Sequence, residues 1–311
     1  MSLPWLLRAV AVPKFSHHTT RPVHRPTFVR QTMIKKILLA VDSDEDSIVA
    51  SRLAVDLAVR FDAEISCLAV IDLESIESGS RGGGIGSFYQ AEKLADRLTD
   101  ETREVARALI GEYEKRLSAA GVRHAEVIRE GVPVVRIVED MKVHDILVLG
   151  KRPHFFYAHP KQDTATVARV VRRIVAPALV VGRVYKPVKK VLMAYDGEDA
   201  SARSIASFLH LQPFGSDVSV EVVSVFDKSP EESELLVGLM KDYVSSHGLD
   251  VRASSLSGGS PKEEIIKYAE DTNCDLIVAG ANRVSAVERL VFGRTAVGLL
   301  EDSPLPVFIQ S

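Results

Sequence analysis

From Met33 to the C-terminus, short uninterrupted apolar runs alternate with longer amphipathic stretches. Uninterrupted apolar runs bounded by polar turns mark strands buried on both faces, and apolar positions recurring every three to four residues mark helices packed on one side. IKKILLAVD predicts a first strand, and SIVASRLAVDLAVRF places Ile48, Leu53, Leu57, Ala58 and Phe61 on one helical face. AEISCLAVID is a second strand, ending near Val70 and Asp72. After the glycine-rich SIESGSRGGGIGSF come a long polar-faced helix to about Ala120, the strand HAEVIRE, a loop and helix in GVPVVRIVEDMKV, and the strand DILVLG. A helix in VARVVRRIVA and the strand PALVVG complete the series.

The second half runs through the same order. VKKVLMAYDGEDASARSIASFL matches IKKILLAVDSDEDSIVASRLAV, VSVEVVSVFD matches AEISCLAVID, GGSPKEEIIKYAEDTNCDLIVAG matches EGVPVVRIVEDMKVHDILVLG, and LPVFIQ matches APALVVG. Gly-x-Pro recurs as Gly131 with Pro133 and as Gly259 with Pro261. The repetition reads as an internal duplication with a period of roughly 150 residues. It predicts two similar domains, residues 33–183 and 184–311, joined by the basic linker RVYKPVKK. Alternating strands and helices predict an α/β fold: in each domain a doubly wound, five-stranded parallel sheet of order 3-2-1-4-5 with helices on both faces. Such sheets bind ligands at the carboxyl ends of the strands flanking the switch point, here the first and fourth. In the second half those ends are Asp196 and Gly280.

Residues 1–32 do not continue the pattern. Residues 1–41 hold seven Lys or Arg, three His and no acidic residue, with Pro4, Pro13, Pro22 and Pro26 and no sustained periodicity. The expectation is a disordered leader ahead of Met33; the alternative is an Arg-rich targeting peptide that would send the protein to an organelle. The chain has 311 residues, 46% of them hydrophobic, and a net charge of −3. That is enough for two cores, and it gives no basic field that would make nucleic acid a partner. No apolar run approaches the ~20 residues of a membrane span. Two cysteines, Cys67 and Cys274, lie in or beside strand-like runs without a CxxC partner, which fits buried thiols in a reducing, cytoplasmic setting.

The first strands ending in Asp (LLAVDS, LMAYDG), the second strands of the form LAVID and VSVFD, the Gly-x-Pro loop and the last strand–loop–helix–strand unit together resemble the universal stress protein family in its tandem form. The resemblance covers about residues 33–310 and implies an adenine-nucleotide alpha-hydrolase-like fold. ATP-binding members carry Gly, two residues, Gly, nine residues, then Gly and Ser or Thr. Glycines there let backbone approach ribose and phosphates, and the last opens a helix whose free N–H groups meet phosphate. In the second half Gly280 fits the first position, Arg283 stands at the second, Gly293 fits the third, and Arg294 precedes Thr295. The two arginines read either as phosphate clamps or as plugs. The resemblance also implies Asp196 near the ribose and Val225 against the adenine. In the first half Gly150 fits, but Pro153 takes the second position and Asp163 or Thr164 the third, so nucleotide binding is expected only in the second.

GGGIGS at Gly82–Ser87 lacks the Lys-Ser/Thr of a phosphate loop and reads as a surface loop. His154 and His159 lack converging ligands, so the stretch is read as a loop with an aromatic patch, Phe155, Phe156 and Tyr157; the alternative is that the patch covers the other domain. Arg169, Arg172, Arg173 and Arg183 read as a solvated helix face. No catalytic constellation appears, and no metal is expected apart from Mg accompanying a nucleotide. The edge strands PALVVG and LPVFIQ invite pairing, as a homodimer or as an intramolecular pseudo-dimer through the fifth strands. The reading is a stress-response protein whose second domain binds ATP or a related adenine nucleotide as a regulatory ligand, acting on an unknown signalling partner. The alternatives are a docking protein of the same fold without nucleotide, and third a weak ATP-hydrolysing enzyme.

Overall fold

The structure is a computed structural model that describes residues 34–73, 76, 88–153, 164–226, 229–281 and 294–311. The first repeat contributes β1 (Lys36–Ala40), α1 (Glu45–Phe61), β2 (Glu64–Ile71), α2 (Phe88–Ala119), β3 (Arg123–Glu130), α3 (Pro133–Met141), β4 (Ile146–Gly150), α4 (Thr164–Val171) and β5 (Ala178–Val181). The second contributes β6 (Lys190–Ala194), α5 (Asp199–Leu211), β7 (Ser219–Phe226), α6 (Pro230–Ser246), β8 (Asp250–Ser257), α7 (Pro261–Asp271), β9 (Leu276–Gly280), α8 (Arg294–Asp302) and β10 (Val307–Gln310).

Within each repeat the strands are parallel in the expected order 3-2-1-4-5. The fifth strands then pair with each other in antiparallel fashion, Leu179 opposite Phe308 and Val180 opposite Val307. The result is one sheet of ten strands, β3-β2-β1-β4-β5-β10-β9-β6-β7-β8. Pairing the two exposed edges satisfies backbone groups that would otherwise template association.

The cores divide by sheet face and not by repeat. On one face α1, α2, α5 and α6 pack over Ile37, Leu39, Ile65, Val148, Val220, Val278 and Phe308. On the other, α3, α4, α7 and α8 pack over Leu38, Leu147, Val180, Ile277 and Ile309. Alternate residues of every central strand therefore enter different cores, which is why those strands read as continuous apolar runs. Phe308 meets Phe208 edge-to-face at 5.4 Å, tying β10 to α5.

The Gly-x-Pro motif has a local cause. Gly131 and Gly259 adopt φ of 128° and 75°, backbone that L side chains rarely take, and Pro133 and Pro261 stand in the first turn of α3 and α7. A second shared device precedes the fourth strand. Asp145 accepts hydrogen bonds from the N–H groups of Lys35 and Lys36 at 2.7 and 2.9 Å, and Asp275 accepts from those of Lys189 and Lys190, both at 3.0 Å. Each carboxylate pins the start of the first strand of its repeat against the fourth.

Candidate functional site

In the second repeat β6 lies between β9 and β7, so its carboxyl end is flanked by those of both neighbours. This brings Asp196, Val225 and Gly280 to one rim of the sheet. Asp196 follows β6 and is exposed; its Oδ1 accepts from the Glu198 N–H at 3.0 Å and the Ser201 hydroxyl at 2.5 Å. Val225, near the end of β7, is half-buried, and Thr295 is half-buried in the first turn of α8. Arg294 opens that helix. Arg283 and Gly293 lie outside the described residues, as do His154, the 155–157 aromatic patch, His159, Asp163 and the Gly82–Ser87 loop; Pro153 is described and buried.

Gly280 has a structural reason independent of any ligand. A Cβ there would stand 2.2 Å from the Ser201 nitrogen, 2.4 Å from the Ala200 carbonyl carbon and 2.7 Å from the Ser201 Cα. The missing side chain lets the N-terminus of α5 press against β9. Gly150 plays the same part more loosely: its Cβ would meet the Cβ of Asp46 at 2.8 Å and backbone of α1 at 3.3 Å. The first glycine of the expected motif is therefore required by helix packing as well.

The two crevices differ in what fills them. In the first repeat Asp46, on the first turn of α1, is fully buried at the position that Ala200 holds in the second. Arg152 approaches its Oδ2 at 3.4 Å and Arg183 its Oδ1 at 3.8 Å, while Arg183 also reaches Glu45 at 3.4 Å. Arg183 is therefore not part of a solvated helix face; it follows β5 and turns back over the carboxyl end of the sheet. Lys151, buried immediately after Gly150, occupies the place of Ala281. It donates to the carbonyl of Ser303 and, at 3.0 Å, to that of Leu305, both between α8 and β10 of the other repeat. Burial pulls its ammonium down to about 8.

The strand-end aspartates have diverged as well. Asp42 is buried where Asp196 is exposed. It accepts from the Ser43 N–H at 2.5 Å and the Ser43 hydroxyl at 3.2 Å, and its Oδ2 has no hydrogen-bond partner among the described residues. Its own N–H donates to Ser47 Oγ at 3.0 Å, and the Tyr113 hydroxyl caps its carbonyl at 3.2 Å. Burial pushes the Asp42 carboxyl up to about 7, with the hydrogen bonds from Ser43 opposing the shift. Asp46, Lys151 and the turn of Arg183 were not singled out from the sequence; the one signal available was that charged residues replace alanines between aligned repeats.

A profile of the Universal stress protein family matches residues 33–182 and again residues 187–310. The chain belongs to the universal stress protein family. A universal stress protein of Synechocystis sp. is 27% identical over 286 residues, covering 88% of this chain and 99% of the relative. Among solved structures, a universal stress protein from Archaeoglobus fulgidus covers 89% of this chain and 96% of its own at 20% identity and a TM-score of 0.63. One from Pseudomonas aeruginosa reaches a TM-score of 0.55 at 13% identity, covering 90% of this chain and 94% of its own. These likenesses establish a tandem universal stress protein with the expected fold. Among the described residues no group of His, Cys, Asp and Glu forms a metal site, and no helix is long and apolar enough to cross a membrane. Cys67 and Cys274 are buried free thiols.

Proposed function

We propose that this universal stress protein binds an adenine nucleotide, ATP or a close relative, at the second-repeat rim as a regulatory ligand, with the first repeat as its structural partner. The observation that carries the reading is the contrast between the crevices. The first is filled by the buried Asp46 with Arg152 and Arg183 over it and Lys151 beside it, whereas the second has Ala200 and Ala281 at the positions of Asp46 and Lys151. The second site suits the ligand chemically. Asp196 engages Oδ1 locally, leaving Oδ2 to accept from ribose hydroxyls; Val225 offers an apolar contact for a base; and the N-terminus of α8, with Thr295, offers N–H groups and a hydroxyl to phosphate. Arg283, Gly293 and Arg294 belong to the same proposed set, and Mg would arrive with the nucleotide.

In this reading the protein works in the cytoplasm as a binding protein whose conformers are reweighted by ligand, and hydrolysis is not required. Native mass spectrometry of the purified chain and titration with ATP test it. Saturable binding is expected in the wild type, abolished by Gly293→Asp, weakened about 10-fold by Asp196→Ala, and unchanged by Asp46→Ala. No co-purified nucleotide and no binding at about 1 mM would overturn it.

A further inference from the structure

Helix α6 carries two apolar faces where one is needed. Ser233, Val237, Met240 and Val244 are buried against β7 and β8. On the outward side Leu235 and Leu239 are 64% and 60% exposed, and Tyr243 37%. These three stand four residues apart and therefore form a single ridge. The ridge continues to Glu231 at one end and to His247 at the other.

The order along it is acid, Leu, Leu, Tyr, His, centred on Leu239. Leu235 and Tyr243 lie four residues to either side, and Glu231 and His247 eight to either side. Two such helices laid antiparallel about Leu239 would match Leu235 with Tyr243 and Glu231 with His247, twice over. Ring contacts hold the basic end in place: Tyr243 meets His247 at 5.0 Å, and His247 meets His210 of α5 at 5.6 Å.

The neighbouring ridge is cut by Gly238, between Glu234 and Asp242. A mid-helix glycine is costly relative to alanine, and here no atom of the described residues lies within 4 Å of where its Cβ would be. The described residues therefore supply no packing reason for it, whereas a helix crossing on the outside would need that notch to bring Leu239 close to backbone. The fifth strands, the other obvious surface for self-association, are already paired within the chain.

We propose that α6 is a homodimer interface, in which a second copy of this chain docks antiparallel through Leu235, Leu239 and Tyr243 with Gly238 as the contact notch. Matching i±4 ridges cross at about 50°. One helix pair is a small interface, so the dimer is reversible, with a Kd on the order of tens of micromolar.

Sedimentation velocity on the full chain from about 1 to about 300 µM tests the proposal. A concentration-dependent monomer–dimer equilibrium is expected. Leu239→Glu, which brings two carboxylates together on the two-fold axis, should give monomer throughout with unchanged circular dichroism and melting temperature. Gly238→Ala should raise the melting temperature of the monomer while weakening association at least about fivefold, a combination that a purely structural glycine would not produce. His247→Glu should weaken the dimer, and the exchange Glu231→His with His247→Glu should restore it. A chain that stays monomeric to the highest concentration, or a dimer indifferent to Leu239→Glu, overturns the proposal, as does a His247→Glu defect that the exchange fails to rescue.

Discussion

Replacing Gly280 by alanine isolates the contact that sets the second-repeat rim. Its φ lies outside the left-handed region, so the substitution brings no backbone strain, and the whole effect is steric. The new methyl would sit 2.2 Å from the Ser201 nitrogen, against the 3.4 Å or more of an ordinary contact, and every close atom is backbone of α5. The helix must therefore move by about 1 Å or the strand must buckle. Overpacking of this kind costs about 3 kcal/mol, offset by less than 1 kcal/mol from the stiffer unfolded chain. Gly150→Ala is the internal control. Its nearest neighbour is the Asp46 Cβ at 2.8 Å, which moves only with the helix, and its backbone contacts are at 3.3 Å, so the cost should be smaller, about 1–2 kcal/mol. Urea denaturation followed by circular dichroism measures both, and in thermal melts the Gly280 variant should fall by roughly 5–10 °C. Equal melting of the two variants, or a Gly280→Ala protein within about 2 °C of wild type, would refute the close-approach argument.

Two further outcomes follow from buried groups. Because the Asp42 carboxyl is raised in the folded protein from 3.8 to about 7, the folded state holds a proton there that the unfolded chain has released. The associated stability is full below about pH 4 and is lost as pH rises through about 7, so Asp42→Asn should flatten the decline in urea midpoint between pH 5 and pH 7.5; a wild-type slope unchanged in the variant rejects this. Lys151→Met leaves the Ser303 carbonyl without its donor while keeping the apolar stem, and should cost about 2 kcal/mol in urea unfolding. A change below about 0.5 kcal/mol would mean that the ammonium adds nothing net once its desolvation is counted.

The strands, their order and the duplication were legible in the sequence because they rest on short-range patterns: uninterrupted apolar runs, the Gly-x-Pro turn, and aspartates at strand ends. The rim of the second repeat was legible to the extent that topology alone brings Asp196, Val225 and Gly280 together. What the pattern could not give depends on partners far along the chain. Lys151 finds its carbonyls about 150 residues away, and Asp46 meets Arg152 and Arg183 only after the sheet has formed. Glycine is ambiguous for a related reason: Gly280 fits a ligand motif, and the atoms that exclude a side chain there belong to α5. The cores were expected as one per domain, whereas pairing of β5 with β10 makes two layers that each run through both repeats.

That antiparallel pairing of β5 with β10 also changes what the two rims are free to become. When a pair of identical chains joins through such strands, symmetry obliges both sites to carry the same residues, and any change that seals one seals the other. Covalent linkage makes the pairing unimolecular, independent of protein concentration. It also releases the halves from sharing one sequence. A buried aspartate beneath two arginines in one rim and alanine in the other is a difference open to a fused pair and closed to a symmetric dimer.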